Sequence, residues 1–459
     1  ELNVPDLCLI AKLRLAVRAE KLEDAQAAID TYLATPPIFM GSAYLDNAQA
    51  LRHEMIDPAI ALAIDLGKPE QAFLFGEASN SRLFTDALYA IGRDVDAKDV
   101  KPLLVALDKI GRQVAEEIEG QSFAESLAEA TARRSRLATL SANYAQAAER
   151  LAQQAPRVAA LLGASKTDLA AIQAALKADE VVLSLLPTHK GVMAFRLDKN
   201  ALSTLALSCN ASFLRDNLDL RLSDKVAKER AGALATLRTQ FIEPLAAWLK
   251  PYRAIYADSS RISPDLPWSA WLMNERNEPW PLSRYYSLAA LSESLGSRKM
   301  PGGTLAVVSA DTVLKNGAFA ELLTQKRVEW VAPSEQSFSR LSAAQGVWLD
   351  LTLTHEGASP ANLWINFDKR PESPKSFAFA KHLDARLKTD WIWINQFEEG
   401  PRSRPVRLCL ERFLVHFGVA GYLLANSQVK DAATNAKALS KAWSALDNGN
   451  RLTAFTKAL

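Results

Sequence analysis

Two stretches in the last quarter of the chain constrain its fold more than any others. They are Val347–Gly357, reading VWLDLTLTHEG, and Trp391–Gly400, reading WIWINQFEEG. Each is an apolar run of β-branched and aromatic residues that stops abruptly in polar ones. That pattern predicts a strand covered on both faces in a parallel sheet. Parallel sheets place their sites at the carboxyl ends of the strands. His355 closes the first run and Phe397 the second. A histidine and a cysteine at two neighbouring strand ends would form a thiolate–imidazole pair. Here the second position holds phenylalanine, which has no lone pair and no titratable proton.

The same period governs the chain from Glu180 onward. EVVLSLLP, GVMAFRL and ALSTLALS predict a three-strand meander. RAIYAD, GTLAVVSA, VEWVAP, LWINF and GVAGYLLAN predict further strands. Helices are expected over Asp224–Lys250, around Pro244, and over Ser334–Ala344, Lys381–Leu387, Val406–Phe417 and Ala432–Leu446. Strands alternating with helices give an α/β fold with a mostly parallel sheet flanked by helices.

Before that point the chain predicts helices alone. Leu7–Arg18 and Glu23–Leu33 form a hairpin, and Pro58–Leu88 forms a second, hinged at Gly67. Asp96–Ile118 and Phe123–Gln154 are longer, with a charged face that reads as solvated, and a short helix begins near Asp168. Ala25, Ile29 and Tyr32, followed by Pro37, have the spacing of the second half of a tetratricopeptide unit. Ala72 takes the part of Ala25 at an offset of 72 − 25 = 47. Leu13 stands where the first half would carry a small residue, so a plain helical bundle is the alternative. The pattern divides the chain into a helical region, residues 1–165, and an α/β region, residues 166–459.

Composition excludes several classes. A chain of 459 residues, 49% apolar and 23% charged, is globular and large enough for more than one domain. A net charge of +2 gives no basis for a nucleic-acid partner. No apolar run approaches the ~18 residues of a membrane span. Three scattered cysteines, Cys8, Cys209 and Cys409, predict no disulfide framework and a reducing, cytoplasmic setting. There is no Cys-x-x-Cys, no His-Glu-x-x-His and no glycine-rich phosphate loop, so neither metal nor cofactor is expected. The opening ELNVPD lacks an initiator Met and a secretory leader pattern, which fits a piece of a longer protein. Trp268, Trp271 and Trp280 cluster in a proline-rich segment, either covering the sheet or offering a partner surface.

From about Lys166 the order of segments resembles the CHAT domain, a caspase-like domain that follows tetratricopeptide repeats. The resemblance is carried by RVAALLGASKTDLAAIQAALKADEVVLSLLP, by FIEPLAAWLKPYRAIYADSSRISPDLPWSAWL with its strand ending in Asp258, and by PLSRYYSLAALSESL. LDLTLTHEG resembles the strand that delivers the family's catalytic His, and WIWINQFEEG the strand that delivers its catalytic Cys. Upstream, GKPEQAFLFGEASNSRLFTDAL is similar to a last repeat before such a domain.

The resemblance implies His355 as the family's imidazole, Phe397 at the nucleophile position, and Asp258, Glu398 and Glu399 as pocket residues. The departures are specific. Phe397 replaces the Cys, Glu356 intervenes before Gly357, Leu351 replaces an upstream His, and Ser427 stands at a usual Trp. The implied function is a catalytically silent caspase-like scaffold or regulator, with a protein or peptide partner on the helical region. Two alternatives stand beside it. One is an active peptidase with a displaced nucleophile. The other is a subunit of a larger defence or signalling assembly whose catalytic chain, a homologue included, is separate.

Overall fold

The structure is a computed structural model. It describes residues 4–34, 55–78, 99–119, 125–155, 158–159, 168–188, 190–217, 231–259, 261–262, 266, 272, 282–285, 288–296, 304–309, 311–333, 344, 346–355, 363–366, 376–378, 391–397, 410, 413–414, 421–426, 436–437 and 439–440. The chain is an α/β protein with an N-terminal helical region. Among the described residues no helix is long and apolar enough to cross a membrane.

The helical region opens with α1 (Val4–Arg18) and α2 (Leu22–Ala34), followed by α3 (residues 55–65) and α4 (residues 69–78). Both pairs turn in the same way. After α1 the Glu20 amide donates to Val17 O and the Lys21 amide to Ala16 O, with Glu20 at φ 52°. After α3 the Gly67 amide donates to Ile64 O and the Lys68 amide to Ala63 O, with Gly67 at φ 67°. These paired bonds satisfy the last carbonyls of a helix when the next residue is left-handed. The equivalent residues are 67 − 20 = 47 apart, the same shift that relates Ala25 to Ala72. Leu9, Leu13, Ala16 and Ala25 are buried, and so are Ile56, Ile60, Ala63 and Ala72, their counterparts 47 residues on. The small residue of the first helix is therefore Ala16, three residues beyond Leu13. Of the tetratricopeptide spacing, Ala25, Ile29 and Tyr32 are buried on α2, and Pro37 lies outside the described residues.

Helices α5 (Lys101–Glu119) and α6 (Leu127–Gln154) form a longer hairpin. Ser126 and Glu129 close the start of α6 reciprocally: the Glu129 amide donates to Ser126 Oγ and the Ser126 amide to the Glu129 carboxylate. Only Tyr144 and Leu151 of α6 are buried. Most other residues of α6 are exposed, as expected of a solvated face, while Arg133–Glu125 and Arg136–Glu117 pair across the hairpin and its start.

The α/β region contains two sheets. The first has the order β3-β2-β1-β4-β5, from β1 (Glu180–Thr188), β2 (Gly191–Leu197), β3 (Leu202–Leu207), β4 (Ala254–Asp258) and β5 (Leu282–Arg284). The expected meander is antiparallel, and β4 and β5 run parallel to β1. Gly191, at φ 135°, opens β2. A Cβ there would meet Leu207 O at 2.4 Å, so only glycine fits.

The alternation of β1 assigns its two faces. Val181, Leu183 and Leu185 pack on Leu237, Phe241, Leu245 and Leu249 of the following helix. Val182 and Leu186 share a core with α1–α4 and with the helices Leu169–Ala175 and Leu288–Gly296. The helix behind the sheet runs through Pro244 because one wide turn, Arg238–Ile242, precedes it, with the Glu243 amide donating to Arg238 O. A five-residue bond of this kind makes room for the proline ring.

The turn between β2 and β3 hangs on Asp198. Its Oδ1 accepts from the Asn200 and Ala201 amides, and its Oδ2 accepts from the Tyr252 hydroxyl at 2.6 Å. Burial works against the carboxylate, yet the Tyr252 hydroxyl, the two amides and Arg196 together hold it below the ordinary range. A depressed carboxylate stabilises fully above the unfolded value near ~3.9, and that stabilisation is lost as pH falls through the folded value. Asp198→Asn should therefore cost about 1–2 kcal/mol at pH 7, with the gap to the parent closing below pH ~4. Urea denaturation at the two pH values checks this.

The second sheet is built from β6 (Leu305–Val308), β7 (Val328–Val331), β8 (Gly346–His355), β11 (Trp391–Phe397) and β12 (Gly421–Asn426), all parallel, in the order β7-β6-β8-β11-β12. β9 (Leu363–Asn366) lies antiparallel along residues 352–355 of β8, and β10 (Ser376–Ala378) lies beside β9. Trp348 and Trp393, opposite one another in register, enter one core with Phe319, Leu322, Ala436 and Leu439. Every strand expected from sequence is present. β5 and β10 were not expected, since three residues are too few to show alternation. The helices expected over Ser334–Ala344 and Lys381–Leu387 lie almost wholly outside the described residues.

Candidate functional site

The strands that end at His355 and Phe397 are direct parallel neighbours. Their register is not uniform. Trp393 faces Trp348 and Ile394 faces Leu349, whereas Gln396 faces Thr352 and Phe397 faces Leu353. Between these pairs β8 spends three residues where β11 spends two. The extra residue falls at Asp350–Leu351, and β11 in turn spends three residues from Ile394 to Phe397 where β12 spends two, so a bulge-like shift of register crosses the three strands at this level. Upstream of it, even-numbered positions of β8 match the pleat of position 393. Downstream, the odd-numbered positions 353 and 355 match the pleat of 397. Position 355 then lies two residues, roughly 7 Å, beyond the level of 397. Glu398, Glu399, Glu356, Gly357, Cys409 and Ser427 lie outside the described residues.

The bulge is anchored from β6. Ser309, 1% exposed, donates from Oγ to Asp350 Oδ2 at 2.6 Å and accepts from the Asp311 amide at 2.9 Å. Asp311 in turn caps the short helix Thr312–Asn316 through the Val313 amide. β6 and β8 flank the point where the strand order reverses, which is where doubly wound sheets gather their ligand-binding groups. The Ser309 hydroxyl is committed to a carboxylate and an amide, so its role is to hold Asp350. Sequence reading missed this pair. Its only signal was an Asp in the middle of an apolar run.

Asp258 belongs to the other sheet. It ends β4, opposite Ser184 of β1, and is 4% exposed. Its charge acts on Arg261 and on Tyr285, Glu77 of α4 also acts on Tyr285, and Arg261 forms an ion pair with Asp57 of α3. Burial pulls the Arg261 guanidinium below its ordinary range, and the charges of Asp57 and Asp258 oppose that pull. Arginine starts so high that it stays cationic at neutral pH. Burial, then the charges of Asp258 and Glu77, push the Tyr285 phenol well above its ordinary value, while its hydrogen bond to Ser184 works the other way. The structure thus pairs the strands that end at His355 and Phe397, and sets Asp258 near Arg261 and Tyr285 at the end of the first sheet, where Asp57 reaches Arg261 from α3 and Glu77 acts on Tyr285 from α4. Asp57, Glu77 and Arg261 were not singled out from sequence.

Cys209 follows β3 and is buried, with Sγ 3.6 Å from Asn210 O. Burial pushes its thiol up to about 11. That leaves on the order of 100-fold less thiolate near neutral pH than a free cysteine carries. Alkylation followed by peptide mapping should find Cys209 roughly 100-fold slower in the native chain than in urea. Equal rates would show that the thiol is not shielded.

Among the described residues no group of three or more His, Cys, Asp or Glu is placed to hold a metal ion. Compared with protein-family models, with curated proteins and with solved structures, the chain has no match in any of the three.

Proposed function

We propose that the chain is a catalytically silent caspase-like protein of the CHAT type, which acts as a scaffold or regulator through protein–protein contacts. The observation that carries this reading is the β8–β11 pair. Two neighbouring parallel strands end at a histidine and at a phenylalanine, on one pleat phase, at the carboxyl edge where such sheets do their chemistry. An imidazole beside a thiolate would make a nucleophile. With phenylalanine at the second position no nucleophile is available. The parallel order β7-β6-β8-β11-β12 and the helical region ahead of it agree with the resemblance read from sequence. Cys209 lends no support to a displaced nucleophile, since it is buried, lies just past β3 of the first sheet and has a raised thiol.

The helical region is the proposed partner surface, because stacked hairpins leave extended faces for binding. Cross-links from a bound protein partner should fall on residues 1–165 of the full chain. Cross-links confined to residues 166–459 would count against that part of the reading.

The site itself is tested by restoring the thiol. Phe397→Cys should create a cysteine that alkylates faster at neutral pH than any native one, since pairing with an imidazolium lowers a thiol below its usual ~8.5. The rate should fall when His355→Ala is added. Circular dichroism establishes that both variants are folded. A new cysteine indifferent to His355 would show that the two positions do not face one another. The parent chain should turn over no peptide in a panel with acidic, basic and apolar residues before the scissile bond. Turnover abolished by His355→Ala would overturn the reading.

A further inference from the structure

Two carboxylates of the helical region reach into the first sheet at its carboxyl edge. Asp57, on α3, pairs with Arg261, which lies 261 − 258 = 3 residues past the end of β4. Glu77, on α4, accepts the Leu288 amide at 2.8 Å, at the start of the helix Leu288–Gly296 and 288 − 284 = 4 residues past the end of β5. Tyr285, between β5 and that helix, donates its amide to Ala257 O and is hydrogen-bonded to Ser184 through its hydroxyl. Arg261 and Glu77 are 3% and 6% exposed.

We propose that Asp57 and Glu77 form a two-point latch, which makes the α3–α4 hairpin, the carboxyl ends of β4 and β5 and the helix Leu288–Gly296 open together as one unit. The reason is the difference between apolar and charged contacts. Helices packed through Ile56, Ile60, Ala63 and Phe73 can slide by a fraction of a turn and lose little. A buried guanidinium cannot lose its carboxylate by degrees, because an uncovered charge must reach water. One such contact would leave a pivot. A second, on the neighbouring helix and the neighbouring strand, removes it. The hairpin is therefore either docked with both contacts made or released with both lost. Whatever displaces α3 and α4 frees the carboxyl edge of β4 and β5, and whatever grips that edge fixes the hairpin. This holds whether or not the helical region takes a partner.

Native-state hydrogen exchange on the full chain, in rising sub-denaturing urea, tests the latch. Amides of residues 55–65, 69–78, 254–258 and 288–296 should converge on one opening curve, separate from that of β6 and of residues 346–349. Glu77→Gln should speed exchange in all four segments by roughly tenfold and leave β6 and β8 unchanged. Separate wild-type curves for the hairpin and for 254–258 or 288–296 would overturn the proposal. So would acceleration confined to residues 69–78, acceleration shared equally with β6 and β8, or no acceleration. The wild-type curves decide the matter even if the variant does not fold.

Discussion

Replacing Arg261 by alanine should destabilise the protein by about 3–5 kcal/mol, the cost of removing one partner from a buried ion pair. The Arg261 side chain is fully shielded, whereas the Asp57 side chain is 33% exposed. Asp57 can therefore turn to water once its partner is gone. Asp258, 4% exposed, cannot. Most of the loss then comes from Asp258, whose buried charge is opposed to that of the Arg261 guanidinium. It follows that Arg261→Ala/Asp57→Ala should be nearly as unstable as Arg261→Ala alone, and that Asp57→Ala, which strips the shielded guanidinium of its ion-pair partner, should itself cost more than ~1 kcal/mol. Urea denaturation of the four proteins gives the cycle. A loss below ~1 kcal/mol for Arg261→Ala would mean that the network is hydrated in solution and that the buried-charge account is wrong.

Trp348→Ala should cost a similar amount, about 3–5 kcal/mol, for a different reason. Trp348 is 0% exposed in the central strand of the second sheet, and its ring centroid is 4.9 Å from that of Phe319. Alanine would leave a void walled by Phe319 and by the neighbouring strands, and close-packed sheet residues relax only partly into such a space. The indole carries a second cost, since its N–H finds no acceptor among the described residues. Trp348→Phe keeps much of the volume and deletes that orphan donor, so it should cost less than ~1.5 kcal/mol. Thermal denaturation of the pair separates packing from hydrogen bonding. Equal losses for Ala and Phe would mean that the N–H is satisfied after all.

Much of the fold is legible in the sequence because both of its main signals are local. Apolar runs such as EVVLSLLP and WIWINQF have no amphipathic alternative, and Asp168 and Gly67 mark a helix start and a helix stop in the expected ways. The neighbourhood of β8 and β11 was expected only through the resemblance, since strand order is a long-range property. The polar cluster of the first sheet is harder still. Asp57 and Arg261 are 204 residues apart, and Glu77 and Leu288 are 211 apart. No window along the chain holds both members. A trace survives at Glu77, an acid beside Phe73, Leu74 and Phe75 in a helix whose other residues seek the core. Such an acid needs a buried donor, and the sequence does not say where that donor is. The bulge in β8 left only the acid at Asp350 in an otherwise apolar run, a sign that does not tell a bulge from a regular strand.

That bulge makes the length of β8, as well as its composition, a carrier of information. Its upstream half is keyed to β6 and its downstream half to β9, with one surplus residue setting the two halves half a period apart. Every side chain from Thr352 to His355 could be kept while a single residue was deleted at 350 or 351. The downstream half would then arrive out of step with β9 and β11 by one residue. Substitution scanning cannot reproduce that lesion. In this strand a frame-preserving loss of one codon should do more harm to the site than most point changes within it.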